Sequence, residues 1–159
     1  MTTRVPSGVP IAAAADDYMY EMQTHAALSE IIAAVTDGDL ICRWWTAATS
    51  AERHGDDVWL LRDDAPFVFF APDHVPGSSE VTWTVTACVM EDWVGTRPSF
   101  SVRQEDDGTC AVEFRHIGLR PALECFEQCR AGWGHFMPSL RQFLETGRGR
   151  PNEPRDLSA

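Results

Sequence analysis

Apolar and polar positions alternate from Asp17, with Tyr18, Tyr20, Met22 and Thr24 on one face and Met19, Glu21, Gln23 and His25 on the other. That is the period of a half-buried strand. The period then lengthens: Leu28, Ile31, Ile32 and Val35 recur at helical spacing, and Asp37-Gly38-Asp39 stops this helix and caps a second short one through Leu40, Ile41, Trp44 and Trp45. From Asp57 to His116 the chain reads as sheet, with strands at Asp57–Arg62, Phe67–Ala71, Glu80–Cys88, Val94–Arg103 and Thr109–His116. Gly55, Asp63-Asp64-Ala65-Pro66, Pro76-Gly77-Ser78-Ser79 and Glu105-Asp106-Asp107-Gly108 separate them with residues that reverse chains, so neighbouring strands are expected to be antiparallel.

Alternation also assigns faces. Val81, Trp83, Val85 and Ala87 oppose Thr82, Thr84 and Thr86; Phe100 and Val102 oppose Ser99, Ser101 and Arg103; Val112, Phe114 and His116 oppose Glu113 and Arg115. Over Val58–Leu61 and Phe67–Phe70 both faces are apolar, and the register there stays open. The last long pattern runs from Arg120 to Gly147. Phe126, Cys129, Trp133, Phe136, Met137, Leu140, Phe143 and Leu144 form one helical stripe, Pro121 suits a first turn, and Thr146-Gly147 suits a left-handed C-cap. Pro138 lies inside this helix and predicts a kink near Gly134–Pro138. A stripe this wide needs an apolar cover, which the sheet supplies.

The pattern defines one folded domain over residues 17–147. Residues 1–16 carry no sustained apolar period and are expected to form a mobile N-terminal arm, and the proline-rich, charged residues 148–159 a flexible C-terminal tail. The chain of 159 residues suffices for one sizeable core and is short for two.

The order of elements, and the residues Trp44-Trp45, Trp83, Asp92-Trp93-Val94-Gly95-Thr96, Phe114-Arg115-His116-Ile117-Gly118-Leu119, Cys125 with Cys129, Gly132-Trp133, Ser139-Leu140-Arg141 and Leu144-Glu145-Thr146-Gly147, resemble the SRPBCC (START-like, Bet v 1-like) superfamily. Within it they look most like homologues of the Hsp90-ATPase activator domain. The resemblance implies an α+β helix-grip fold: a curved antiparallel sheet of about six strands, two short helices, and one long C-terminal helix over the sheet. It also implies a cavity between sheet and helix that takes a hydrophobic or aromatic small molecule. Some relatives are cyclases or dehydratases, and the activator likeness implies a chaperone-associated interaction module as a further alternative. The inward register places Trp83, Val85, Phe100, Phe114, His116, Trp133, Phe136, Met137 and Leu140 against such a ligand.

Composition narrows the alternatives. A formal charge of −11 repels phosphate backbones and anionic membrane surfaces, so nucleic acid is not an expected partner. No run reaches the roughly 18 apolar residues of a membrane span, and the chain is read as cytoplasmic. Five cysteines, odd in number and set in apolar segments, suit reduced packing residues. Cys125 and Cys129 share a helix face and with His116 or His135 could converge on a metal, but small cysteines on an apolar stripe are ordinary core, and no metal or cofactor is assigned.

His116 is the one candidate for catalysis, an inward imidazole able to act as acid or base; the competing assignment is a structural hydrogen bond that holds the Gly118 turn. Thr96, Ser99 and Ser101 sit in no nucleophile turn, and the paired aspartates fall at solvated turns. Glu91, Asp92 and Glu124 flank the expected cavity. A homodimer through an exposed strand edge is compatible with the pattern.

Overall fold

The computed structural model describes residues 18–45, 50–62, 64–89, 91–119 and 126–151. The expected N-terminal arm, the Pro121 first turn, Glu124 and Cys125 lie outside these residues, as does the tail beyond Pro151. In chain order the elements are β1 (Tyr18–Thr24), α1 (Leu28–Thr36), α2 (Gly38–Ile41), β2 (Ser50–His54), β3 (Asp57–Arg62), β4 (Ala65–Asp73), β5 (Glu80–Cys88), a 3-10 turn (Glu91–Trp93), β6 (Arg97–Gln104), β7 (Cys110–Ile117) and α3 (Phe126–Thr146). The seven strands form one antiparallel sheet in the order β1-β7-β6-β5-β4-β3-β2. This is the helix-grip architecture with one strand more than the pattern predicts. The unpredicted strand, β2, reads Ser-Ala-Glu-Arg-His and is mostly exposed, so it carries no apolar alternation to announce it. No helix among the described residues is long and apolar enough to cross a membrane.

The register delivers the predicted inner face. Val81, Trp83 and Val85, Phe100 and Val102, and Val112, Phe114 and His116 are all buried, and Phe100 pairs with Phe114 across β6 and β7. Ala87 departs from its row. A bulge between Phe69 and Phe70 pairs Phe70 with Val85 but Phe69 with Ala87, which turns Ala87 to the outer face beside half-buried Phe69. This bulge and a second one between Leu60 and Leu61 settle the faces that the apolar runs left open. Val58, Leu60, Val68 and Phe70 enter the core, while Trp59 and Phe69 stack outside at 4.2 Å with His54 on Trp59 at 3.6 Å.

Helix α3 runs unbroken through Pro138. It lays Cys129, Trp133, Met137 and Leu140 on the sheet, with Phe136, Phe143 and Leu144 half-buried at the margin. Its C-terminal end is tied to β1: the Thr24 hydroxyl and the His25 N–H both donate to Glu145 Oε2 at 2.8 Å, and Arg141 Nε donates to the Gln23 carbonyl at 2.7 Å. Gly147 ends the helix at φ 85°, with its N–H on the Phe143 carbonyl. The short helices start as their sequences dictate. Glu30 accepts from the Ala27 N–H, and Asp37 Oδ1 accepts from Asp39 N at 2.9 Å.

After Gly147 the chain turns back along α3. Arg148 exchanges hydrogen bonds with Gln142 and Thr146, and Arg150 N–H donates to Ser139 Oγ at 2.7 Å. Residues 148–150 of the expected tail are thus held against the domain.

Candidate functional site

The site is built where α3, the 3-10 turn, β7 and the segment after α2 meet. Of the residues expected to line a ligand, Trp83, Val85, Phe100, Phe114, His116, Trp133, Met137 and Leu140 are buried and gathered between sheet and helix; Phe136 is half-buried at the margin. They pack on one another. Phe114 meets Trp133 at 4.3 Å, Phe100 meets Phe114 at 5.0 Å, and Trp83 meets Phe100 at 5.1 Å.

His116 lies at the centre of a hydrogen-bond chain whose direction is fixed by its first donor. An indole nitrogen only donates, so Trp133 Nε1–H at 3.0 Å makes Nδ1 of His116 the acceptor. The proton of the neutral ring therefore sits on Nε2, which faces Thr96 Oγ1 at 2.8 Å, and the Thr96 hydroxyl in turn donates to the Trp93 carbonyl at 2.7 Å. Every polar atom of the imidazole is used. Burial without an acidic partner pushes the His116 pKa down to about 3, so the ring is neutral at ordinary pH. The ring bonds two side chains, and the Gly118 turn is held by the His116 carbonyl, which accepts from the Leu119 N–H. Gly118 has φ 96° and lies close against Thr96, which glycine alone accommodates without strain. An imidazole so occupied has no free lone pair or proton for acid–base work.

Beside this chain stands a cluster of three tryptophans from three segments: Trp45 after α2, Trp93 in the 3-10 turn, and Trp133 in α3. Trp45 and Trp133 are parallel within 6° at 5.6 Å, Trp93 and Trp133 within 18° at 6.0 Å, and Trp45 and Trp93 within 23° at 5.8 Å. Their N–H groups separate them. Trp133 donates to His116, Trp93 donates to Cys129 Sγ at 3.0 Å, and deeper in the core Trp44 and Trp83 donate to the Ala34 and Val35 carbonyls. Trp45 is only 4% exposed, yet its indole N–H has no hydrogen-bond partner among the described residues. Such a donor is uncommon in a native interior and calls for a partner.

The pattern of the chain places Trp133 and His116 at the site but gives no sign of Thr96 as the relay partner, since its hydroxyl sits in no nucleophile turn and its bond to His116 spans 20 positions. Trp45 enters the sequence pattern only as an apolar residue after the second short helix, and periodicity cannot report an N–H without an acceptor among the described residues. Cys129 faces Trp93, and no group of three or more metal-ligating side chains occurs among the described residues. Glu91 is exposed, and Asp56, Asp64, Asp106 and Asp107 lie exposed at turns.

No protein-family model and no curated protein sequence matches the chain. Solved structures do. The Aha1 dimer from Colwellia psychrerythraea aligns with TM-score 0.68 and 23% identity over 84% of this chain and 98% of its own. Protein SSP2350 from Staphylococcus saprophyticus aligns with TM-score 0.63 and 17% identity over 86% of this chain and 96% of its own. DynU16, from the dynemicin biosynthetic locus, aligns with TM-score 0.58 and 20% identity over 84% of this chain, which spans 49% of DynU16. At these identities the likeness defines a fold, and that fold is the helix-grip fold.

Proposed function

We propose that the protein binds a flat aromatic small molecule carrying a hydrogen-bond acceptor, at the cluster of Trp45, Trp93 and Trp133 between sheet and closing helix. The observation that carries this reading is the buried N–H of Trp45, which has no partner among the described residues and stands beside near-parallel indole faces. Indole faces favour a planar ring by stacking, and a carbonyl or phenol oxygen on that ring would satisfy the N–H. The surrounding residues are apolar, as a small-ligand site requires.

Fluorenone and fluorene test this directly, because the two tricyclic rings differ mainly in a carbonyl against a methylene. Fluorenone is expected to bind more tightly. Trp45→Phe keeps a ring at the site and removes the N–H, so it should weaken fluorenone about five- to tenfold, the worth of one buried hydrogen bond, and leave fluorene unchanged. Native mass spectrometry of gently purified protein should show a co-purifying aromatic compound. Equal affinities for the two compounds, or no binding of either, would end this reading.

A second reading, a protein-interaction module, draws on the outer aromatic row of His54, Trp59 and Phe69 beside edge strand β2. A homodimer through that edge, or a chaperone-associated role suggested by the Aha1 likeness, would use this row. Trp59→Ser should then abolish self-association in light scattering or capture of the chaperone; a monomer that captures no chaperone rejects it.

A further inference from the structure

The chain after α3 returns to the backbone just before Trp45. Ser139 is fully buried on α3, directly after Pro138, and its hydroxyl donates to the Trp44 carbonyl at 2.9 Å. The same oxygen accepts the Arg150 N–H at 2.7 Å. The returning segment, the closing helix and the residue preceding Trp45 are therefore joined through one hydroxyl. Gly149 fits between them with no room to spare: a Cβ there would stand 2.6 Å from the Arg43 carbonyl oxygen, 3.0 Å from Ser139 Oγ and 3.0 Å from Trp44 Cα. This fit is independent of the hydrogen bonds and shows the segment seated against the Arg43–Trp44 backbone. Outside that seat the segment rests on exposed contacts, Gln142 Nε2 to the Arg148 carbonyl and His135 to the Arg150 carbonyl. A firm central seat with weak flanks describes a latch.

We propose that residues Gly147–Pro151 latch the Trp44–Trp45 backbone, and that Ser139 and Gly149 position Trp45 as one wall of the aromatic site. When the latch is seated, the Trp44 carbonyl is held and Trp45 lies against Trp133. When it lifts, Ser139 loses the Arg150 donor and the Arg43–Trp44 backbone loses its cover, so Trp45 can swing from Trp133 and a flat ring can enter. This inference rests on the reading of the cluster as a ligand site, and it makes the returning segment control the rate of entry.

Two variants test it. One chain ends at Gly147; the other, Arg150→Pro, removes the N–H that meets Ser139 together with an exposed side chain, in a segment where Gly149 tolerates a following proline. Hydrogen exchange is followed at the amides of Trp44 and Trp45, both bonded to the Ile41 carbonyl, with the β6–β7 amides as the measure of global stability. In both variants the Trp44 and Trp45 amides should exchange about tenfold faster while the β6–β7 amides hold, and fluorenone should associate several-fold faster. Unchanged exchange at Trp44 and Trp45 in Arg150→Pro overturns the latch, and that variant decides if the shortened chain fails to fold. Faster exchange with an unchanged fluorenone association rate overturns the control of entry. Absence of fluorenone binding in every form is instead the failure of the ligand reading, since the exchange result then stands by itself on whether the segment holds Trp44–Trp45.

Discussion

His116→Ala is expected to lower the unfolding free energy by about 3–4 kcal/mol, as measured by urea titration followed by tryptophan fluorescence. Two losses add. The imidazole leaves a space between Trp93, which it meets edge-on at 4.7 Å, and Trp133. It also leaves the buried Trp133 N–H without an acceptor, a penalty of roughly 1–3 kcal/mol by itself. The two can be separated: adding Trp133→Phe to His116→Ala removes the stranded donor, so the double variant should lose less than the sum of the two single variants. A loss for His116→Ala below about 1 kcal/mol would show that the chain from Trp133 to Thr96 does not hold the fold.

Mild acid is expected to destabilise the protein through the same ring. The folded-state pKa of His116 is pushed down to about 3 by burial, below its ordinary value of 6.5. The unfolded chain therefore takes up a proton as pH falls through 6.5, while the folded chain does not take it until near 3. The stabilisation is complete above 6.5 and is lost between those values, at roughly 1.4 kcal/mol per pH unit for one proton. Urea midpoints measured from pH 7 to pH 4 should fall with this slope, and the difference between the wild-type and His116→Ala curves isolates it from other groups. Parallel curves would mean that the ring titrates normally in the folded state. In the folded protein at neutral pH, the ring nitrogens should show the signature of the Nε2–H tautomer by nitrogen NMR.

Much of this architecture is written in the periodicity of the chain, and the reason is burial on one face. Trp83, Val85, Phe100, Phe114 and His116 alternate with threonines, serines and charges, so a one-residue slip would expose all of them; Trp133, Met137 and Leu140 repeat with the turn of a helix. Where that asymmetry vanishes, so does the signal. Strand β2 has little to bury, and the faces of β3 and β4 depend on two bulges that apolar residues on both sides leave undetermined. The site was legible as a gathering of side chains and not as chemistry. Which atom of His116 accepts, and that Trp45 has no acceptor among the described residues, depend on angstrom-scale placement of residues tens of positions apart. The returning segment illustrates a different blind spot: its composition resembles that of an unfolded tail, yet a missing Cβ at Gly149 and one hydroxyl at Ser139 suffice to seat it.

The sheet order also bears on how the protein folds. Strands β2 to β7 follow one another as a meander, each pairing with its neighbour in sequence, so each closes only a short loop. Strand β1 is different, because it pairs with β7, and its last residue, Thr24, bonds Glu145 across 121 positions. The meander can assemble locally, but the sheet acquires its β1 edge, and α3 its C-terminal tether, only when the two ends of the domain meet. The joining of β1 to β7, which also brings Tyr18 opposite His116, is therefore the expected late and slow event in refolding, checked by stopped-flow refolding of a variant weakened in β1.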